Sequence, residues 1–324
     1  MASHDFPPVS LPPGAMNGLG GPPAIWYLPQ SHRRVWLHVL LFILTLLSTT
    51  FVGARMVENF ELNRPAFNLE EDIDAYVEIF QDPVRILKGL PFSGPLLLIL
   101  LAHEFGHYLA CVHYGLDASL PYFLPAPTFI GTLGAFIRIR SQIYTRRELF
   151  DVGIAGPLAG FVFLLPALGM GLAFSKVIPG IAHEGDLVFG VPLLLKGLYS
   201  LIFPGVPEAD IYLHPIARAA WVGLFATALN LLPFGQLDGG HILYSVASGR
   251  FRVLTRIFWL MLLPLGLLYW PWWAWAVILF FFGLKHPPIY DPEPLSGGRL
   301  RMAWLSLVIF LICFMPAPVA TSGF

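Results

Sequence analysis

Six long apolar runs limit the folds that this chain can adopt. They lie at residues 35–55, 91–113, 150–174, 216–235, 254–283 and 301–318. A helix needs about 20 apolar residues to cross a bilayer, so these runs predict membrane-spanning helices. The composition agrees, because 56% of the 324 residues are hydrophobic and only 12% are charged, whereas roughly 25% are charged in a soluble domain. The chain is therefore not expected to fold as a soluble globule.

The fifth run is too long for a single crossing. It contains the stretch LYWPWWAW at residues 268–275, and a proline among tryptophan and tyrosine side chains is typical of a membrane–water interface. We expect two short helices here, with a kinked or re-entrant pair as the alternative. The predicted fold class is an all-α polytopic membrane protein with about six to seven transmembrane helices. A small membrane-associated β-hairpin or strand segment is expected beside them, near the candidate active site.

Charged residues indicate the orientation of these helices. Basic residues gather at 33–34, 138–147, 250–256 and 285–301, whereas residues 57–88 are mainly acidic. Because cytoplasmic loops carry an excess of Lys and Arg, we expect the N-terminus and the ends of the second and fourth runs at the cytoplasmic face. The expected location is a bacterial inner (plasma) membrane. The net charge of −1 argues against nucleic acid as a partner.

The stretch HEFGH at residues 103–107 places three ionisable side chains inside the second apolar run. On a helix, His103 and His107 are four residues apart and point to one face, where two imidazoles can share a metal ion. Glu104 lies beside them, as in the H-E-x-x-H pattern of zinc metalloproteases. In that pattern zinc lowers the pKa of a bound water to about 7, and the glutamate accepts its proton. Structural hydrogen bonding is the alternative, but ionisable residues within a membrane span are a functional hypothesis by default.

A catalytic zinc needs a third protein ligand and an open position. The stretch ALNLLPFGQLDGGHI at residues 228–242 offers Asp238, after a break in the fourth run at Pro233. Asp238 is the favoured ligand. The alternative role, which can coexist with ligation, is the N-cap of the helix that follows. His241 is a weaker rival ligand, and Cys111, one turn after His107, is weaker still.

Two of these motifs together resemble the site-2 protease family of intramembrane zinc metalloproteases, peptidase family M50. The matching residues are HEFGH at 103–107 and NLLPFGQLDGG at 230–240, and GIAGPLAG at 153–160 resembles the small-residue stretch between them. The resemblance covers roughly residues 90–250. No soluble stretch is long enough for an inserted PDZ domain, so the chain resembles the PDZ-less branch and its bacterial and plastid-type members.

The resemblance implies a site and a reaction. One Zn²⁺ per chain would be bound by His103, His107 and Asp238, with Glu104 as the general base. Asn230 matches a family asparagine that holds the substrate backbone or the oxyanion, although an interhelical hydrogen bond is an equal alternative. The implied function is hydrolysis of peptide bonds in or near transmembrane segments of membrane-protein substrates, expected to be single-pass. The lipid bilayer is the other expected partner.

The segment after the HEFGH helix predicts a strand. Its end, AFIRIRSQI, alternates apolar and polar residues, which indicates a strand at 135–141 with Gly131 and Gly134 in its turn. A substrate must be extended before its peptide bond is exposed, so this strand could pair with it by β-strand addition. The tentative substrate-binding residues are Gly131, Gly134, Ala135, Phe136 and Ile137. Ordinary turn glycines are the alternative for the first two.

The predicted organisation has four parts. A flexible Pro/Gly-rich tail at 1–32 precedes the first transmembrane helix and an acidic extracytoplasmic segment at 33–89. The metalloprotease core is expected at 90–250 and further transmembrane helices at 251–324. Two other functions are weighed against proteolysis: an inactive protein that binds membrane helices, and a metal transporter that uses the same ligands. The complete HEFGH and LDG motifs argue against the first, and the lack of a second copy of either argues against the second.

Overall fold

The structure is a computed structural model that describes residues 35–284, 286–289, 291 and 293–321. The described chain is mostly helical. The helices are α1 (Val35–Glu61), α2 (Leu69–Gln81), α3 (Pro83–Leu87), α4 (Leu90–His113), α5 (Arg146–Ala173), α6 (Ile181–Glu184), α7 (Leu193–Ile202), α8 (Pro215–Asn230), α9 (Asp238–Ala247), α10 (Phe251–Leu268), α11 (Pro271–Phe282) and α12 (Gly297–Cys313). The strands are β1 (Tyr122–Pro125), β2 (Thr132–Phe136), β3 (Lys176–Val177), β4 (Leu187–Phe189), β5 (Ile211–Tyr212) and β6 (Val319–Thr321). The predicted tail at 1–32 lies outside the described residues.

Four helical segments among the described residues are long and apolar enough to cross a membrane. They are Val35–Glu61, Leu90–His113, Arg146–Ala173 and Asp238–Leu268, the last formed by α9 and α10 together. Helix α8 has 16 residues, α11 has 12 and α12 has 17, which is shorter than the roughly 20 residues that a straight crossing needs. The helical membrane fold is therefore confirmed in outline, and the number of six to seven crossings stays a prediction.

Helices α4, α5 and α8 form the centre of the molecule through close backbone approach. A Cβ placed on Gly106 of α4 would lie 2.4 Å from the carbonyl oxygen of Ala155 on α5. A Cβ on Gly171 of α5 would lie 2.2 Å from the backbone nitrogen of Ala217 on α8. Small residues at such contacts let membrane helices gain dispersion energy without a solvent-driven hydrophobic term. The apolar core between the helices is completed by fully buried Phe92, Leu96, Phe150, Leu164, Leu168 and Leu224.

The predicted split of the fifth run is confirmed. Helix α10 ends at Leu268, and Pro271 starts α11 after two connecting residues. Proline suits the first turn of a helix because the N–H it lacks would be unpaired there. The two helices are tied side by side, since Trp259 Nε1 donates to the Ala276 carbonyl at 2.7 Å and Trp273 Nε1 donates to the Leu263 carbonyl at 3.0 Å.

Within the described residues, three two-stranded antiparallel pairs lie beside the helices: β1 with β2, β3 with β5, and β4 with β6. The β1–β2 hairpin packs on α1, where Ser48 Oγ donates to the Gly131 carbonyl at 2.6 Å. In this hairpin Tyr122 pairs with Phe136 and Phe123 pairs with Ala135. The hairpin thus lies between the first helix and the stretch that leads into α5.

The predicted bounds of this strand, 135–141, are wrong. Strand β2 begins at Thr132 and ends at Phe136, so Gly134 lies within it rather than in its turn. Thr132 fixes the start, because its Oγ1 donates to the Leu124 carbonyl at 2.8 Å. Beyond Phe136 the alternating residues keep a single bridge, between Ala118 and Ile139. The alternation predicted the segment but not where regular pairing stops.

Candidate metal centre

Helix α4 carries the two histidines and the glutamate of the HEFGH stretch. His103, Glu104 and His107 are 6%, 6% and 7% exposed. The two Nε2 atoms are 3.1 Å apart, so both rings occupy one face of the helix, one turn from each other. A single ion placed between the rings would touch both.

The third side chain comes from a distant part of the sequence. Asp238 is the first residue of α9, and its two carboxylate oxygens lie 3.2 Å from His103 Nε2 and 3.3 Å from His107 Nε2. Glycines at the next two positions allow the chain to turn back sharply there. A Cβ on Gly239 would lie 2.0 Å from the Leu231 carbonyl oxygen, and one on Gly240 would lie 2.4 Å from that of Phe234. The two glycines therefore set the position of the Asp238 carboxylate.

The dimensions of this cluster fit one zinc ion. In the described part of the chain, His103, His107 and Asp238 form the group of possible ligands whose atoms all lie within 4.8 Å of one another. Nitrogen and oxygen ligands at about 2.0–2.2 Å in a tetrahedral site are separated by about 3.3 Å. The closest pairs here measure 3.1, 3.2 and 3.3 Å. Two imidazoles and one carboxylate also leave the fourth position open, as a catalytic site requires.

Helix α5 packs against both histidine rings. His107 Nδ1 donates to the Val152 carbonyl at 2.7 Å, which leaves the Nε2 lone pair directed at the cluster. A Cβ on Gly156 would lie 2.1 Å from His107 Nε2, and one on Gly160 would lie 3.1 Å from His103 Cβ. These two glycines therefore let α5 pack closely against the side of α4 that carries the histidine rings.

Two further predicted residues border the cluster. The Asn230 side-chain nitrogen, at the end of α8, lies 3.2 Å from His103 Nε2. The backbone of Ile137, just after β2, lies near the Glu104 carboxylate. The structure therefore brings Glu104, Asn230 and the end of the β1–β2 hairpin to the same place.

The glycines proposed for substrate binding have local roles. Gly131 has φ +78° and Gly134 has φ +100°, values that favour glycine over every other residue. A Cβ on Gly131 would also lie 2.7 Å from the Ser48 carbonyl oxygen, so this residue joins the hairpin to α1. Ala135 pairs with Phe123 inside the hairpin, whereas the Phe136 side chain is 45% exposed.

The rival ligands lie apart from the cluster. His241 Nδ1 is 2.9 Å from Nε2 of His286, and the His286 ring stacks on Tyr244 at 4.1 Å between centroids. Cys111 is fully buried and packs with Ala118 and Val152. His286 was not predicted, because it lies in a loop far along the chain and belongs to no motif.

The basic end of α12 is bound to α5 by an ion pair that the sequence analysis also missed. Arg299 donates to both carboxylate oxygens of Asp151, at 2.9 and 2.6 Å. The Tyr114 hydroxyl, just after α4, donates to the same carboxylate. Helices α4, α5 and α12 are therefore joined at one end. No local pattern predicts this contact, because the partners are far apart in sequence. Taken together, the apolar helices and the buried cluster describe a membrane protein with a candidate metal centre.

Comparison with known proteins agrees with this class. Residues 91–264 match the model of Peptidase family M50. The chain is 32% identical over 264 residues to "Probable zinc metalloprotease EGY2, chloroplastic" of Arabidopsis thaliana, covering 75% of this chain and 44% of that protein. It is 26% identical over 320 residues to "Probable zinc metalloprotease EGY1, chloroplastic" of the same plant, covering 91% and 54%. The EGY1 protein of Oryza sativa subsp. japonica is 28% identical over 324 residues, covering 92% and 52%.

The chain therefore belongs to peptidase family M50, and the resemblance inferred from the HEFGH and LDG stretches is confirmed. It spans about half the length of the curated relatives that it matches. These relatives are named as chloroplast proteins. Together with the long apolar helices they point to a membrane protein, but not to a bacterial inner membrane.

Proposed function

We propose that this chain is an intramembrane zinc metalloprotease that hydrolyses peptide bonds in or near transmembrane segments of membrane proteins. The observation that carries the proposal is the triangle formed by His103 and His107, both buried on apolar α4 next to Glu104, and by half-buried Asp238 of α9. Membership of family M50 and relatives named zinc metalloprotease support it. Ionisable side chains within a membrane span are energetically costly and therefore mark functional sites by default. Peptide hydrolysis within the membrane is a function that requires them.

In this proposal each side chain of the centre has its own task. His103, His107 and Asp238 hold one Zn²⁺ per chain. When bound, zinc supplies Lewis acidity toward a peptide carbonyl and lowers the pKa of a water ligand. Glu104 takes the proton from the attacking water and delivers it to the leaving amine. The Asn230 side-chain amide donates a hydrogen bond to the carbonyl oxygen as negative charge develops on it.

The hairpin is proposed to present the substrate. A helical peptide bond has its carbonyl engaged within the helix, so the substrate must become extended before attack. Strand β2 pairs with β1 on one side, and its end lies at Glu104 through Ile137. An extended substrate added along β2 would therefore run toward the catalytic residues. The proposed substrate is a single-pass membrane protein, reached through the bilayer.

The orientation remains part of the proposal. The basic residues that flank the helices support an N-terminus and an active site toward the cytoplasm, and a bacterial-type plasma membrane is the proposed location. Glu104 then lies in the cytoplasmic half of α4, and Asp238 follows the cytoplasmic end of α8. An inactive helix-binding protein and a metal transporter remain the alternative functions.

Replacement of the base tests the mechanism. We expect Glu104→Gln to abolish cleavage of a single-pass reporter while about one zinc per chain is retained, because the amide cannot accept the proton but leaves the three ligands in place. The measurement pairs reporter cleavage in proteoliposomes with metal analysis of the same preparation. Glu184→Gln, at an exposed position on α6, is the matched control.

The outcomes separate the candidate functions. His107→Ala and Asp238→Ala should both lose zinc, since each removes one ligand. Cleavage by Glu104→Gln at the wild-type rate would refute the general-base role. Wild-type protein that binds zinc but cleaves no reporter would favour the binding protein or the transporter.

A further inference from the structure

A positively charged side chain lies in α8, away from the metal centre. Arg218 Nε donates to the Leu213 carbonyl at 3.1 Å. Its guanidinium carbon lies 5.2 Å from the centre of the Tyr212 ring and 5.9 Å from that of Phe189. Within the part of the chain that the structure describes, no carboxylate forms an ion pair with it.

The guanidinium borders a cavity of about 80 Å³. One water occupies roughly 10–15 Å³ on this measure, so the space holds a group of several heavy atoms. The walls are largely apolar and aromatic, with Tyr199 and Trp221 among them. Glu208 supplies the carboxylate among the lining residues, and it is already paired with Lys196 at 3.4 Å. A second, apolar cavity of about 30 Å³ also borders Arg218 and Trp221.

The chemistry of Arg218 selects a ligand class. A guanidinium offers five N–H donors, and the structure uses one of them, on Leu213. Its planar fork matches a carboxylate through two parallel hydrogen bonds. Aromatic walls lower the local dielectric and strengthen such a pair. Arg218 is the cation among the lining residues, so a phosphate dianion would keep an uncompensated negative charge in the cavity whereas a carboxylate would not.

We propose that the cavity at Arg218 is a binding site for a carboxylate group carried on a small apolar body. The guanidinium binds the carboxylate, and the apolar part occupies the space beside Trp221. Two sources present this chemistry: a free short-chain organic acid, and the carboxyl terminus of a peptide that ends in an apolar residue. The proposal is independent of the protease activity, because none of the catalytic residues takes part in it.

Ligand-observed saturation-transfer NMR on the full chain in detergent, loaded with zinc, tests this site. The probes are butyrate and N-acetyl-glycyl-valine, each compared with its neutral primary amide. We expect binding of a carboxylate in the millimolar range and no transfer to its amide. Arg218→Met should weaken binding by about tenfold or more, as loss of a charge-assisted hydrogen bond does, and Arg218→Lys should restore part of it. Arg252→Met, at an exposed position of α10, should bind like wild type.

Each outcome bears on the proposal. Binding of butyrate alone assigns the site to free acids, and binding of the valine peptide alone assigns it to chain ends. If Arg218→Met does not fold, the comparison of acid and amide on wild-type protein decides by itself. Equal binding of acids and amides, equal binding by wild type and Arg218→Met, or no binding of either acid at tens of millimolar would overturn the proposal.

Discussion

At the scale of single residues, the candidate metal centre depends on glycines, which have no Cβ, as much as on the side chains that line it. His107 is fixed by its hydrogen bond to Val152, and Gly156 leaves the space that its ring fills. Gly106 of α4 already touches Ala155 of α5, so the two helices pack backbone to backbone here and leave no spare room between them. One added methyl group at Gly156 therefore has to displace the imidazole.

Gly156→Ala should accordingly weaken zinc binding although all three proposed ligands stay in the sequence. We expect a loss of about 10- to 100-fold in zinc affinity, the range seen when the groups that orient metal ligands are changed. Competition with a fluorescent chelator measures this affinity. Gly169→Ala is the control, because it lies on the same helix and a Cβ there meets nothing within 4 Å. Equal affinities of the two variants would refute this role of Gly156.

The sequence predicted which side chains lie together where the spacing of a motif indicates it. The four-residue interval between His103 and His107 set both rings on one face, and the LDG stretch placed Asp238 beside them. It failed for Val152, which acts through a backbone carbonyl, and for His286, whose partner His241 is far away in the chain. Neither position carries a pattern, since only the folded chain brings these partners together.

At the scale of elements, α8 connects the Arg218 cavity to Asn230, and its first turn depends on a histidine cap. His214 Nδ1 accepts a hydrogen bond from the Ile216 amide at 3.2 Å. Burial, and then the nearby charge of Lys176, hold the pKa of His214 below its usual value. A protonated Nδ1 carries a hydrogen and cannot accept this bond.

The fold should therefore become less stable in mild acid. Because the pKa of His214 is lower in the folded chain, the unfolded chain binds the proton more readily, and the free energy of unfolding falls as pH drops below about 6.5. Thermal unfolding in detergent at pH 7.5 and 5.5 measures the change. His214→Asn keeps a cap that does not titrate and should show a smaller drop than wild type. His183→Asn, at an exposed position of α6, should keep the full drop, and an undiminished drop in His214→Asn would count against the cap.

Element boundaries followed the sequence only where a strong local signal exists. Pro271 marked the start of α11 in advance, and the Tyr269–Trp270 junction separates two helices as expected. The strand at 135–141 was misplaced because Thr132 and the contact of Gly131 with α1 fix the hairpin earlier in the chain. Such tertiary contacts override an alternating pattern.

At the scale of the whole molecule, the metal centre bridges helices from distant parts of the sequence. Zinc that binds the folded chain adds stability in proportion to the logarithm of its concentration over its Kd. We expect chelation to lower the thermal midpoint of wild-type protein by several degrees. The midpoint of Asp238→Ala should not respond to the chelator, because the bridge is already broken. An equal response of both proteins would show that the lost metal lies elsewhere.

The proposed metal ligands are divided between α4 and α9, and this division has a consequence for the order of membrane insertion. A nascent chain that has inserted α4 carries His103, Glu104 and His107 long before Asp238 is synthesised. Two imidazoles alone hold zinc weakly, so the ion is captured firmly only after α8 has entered the bilayer and the loop behind it has turned back. Metal capture thus marks the stage at which α8 and the turn to Asp238 are in place, and a ribosome stalled ahead of residue 238 would release a chain that lacks the third proposed ligand.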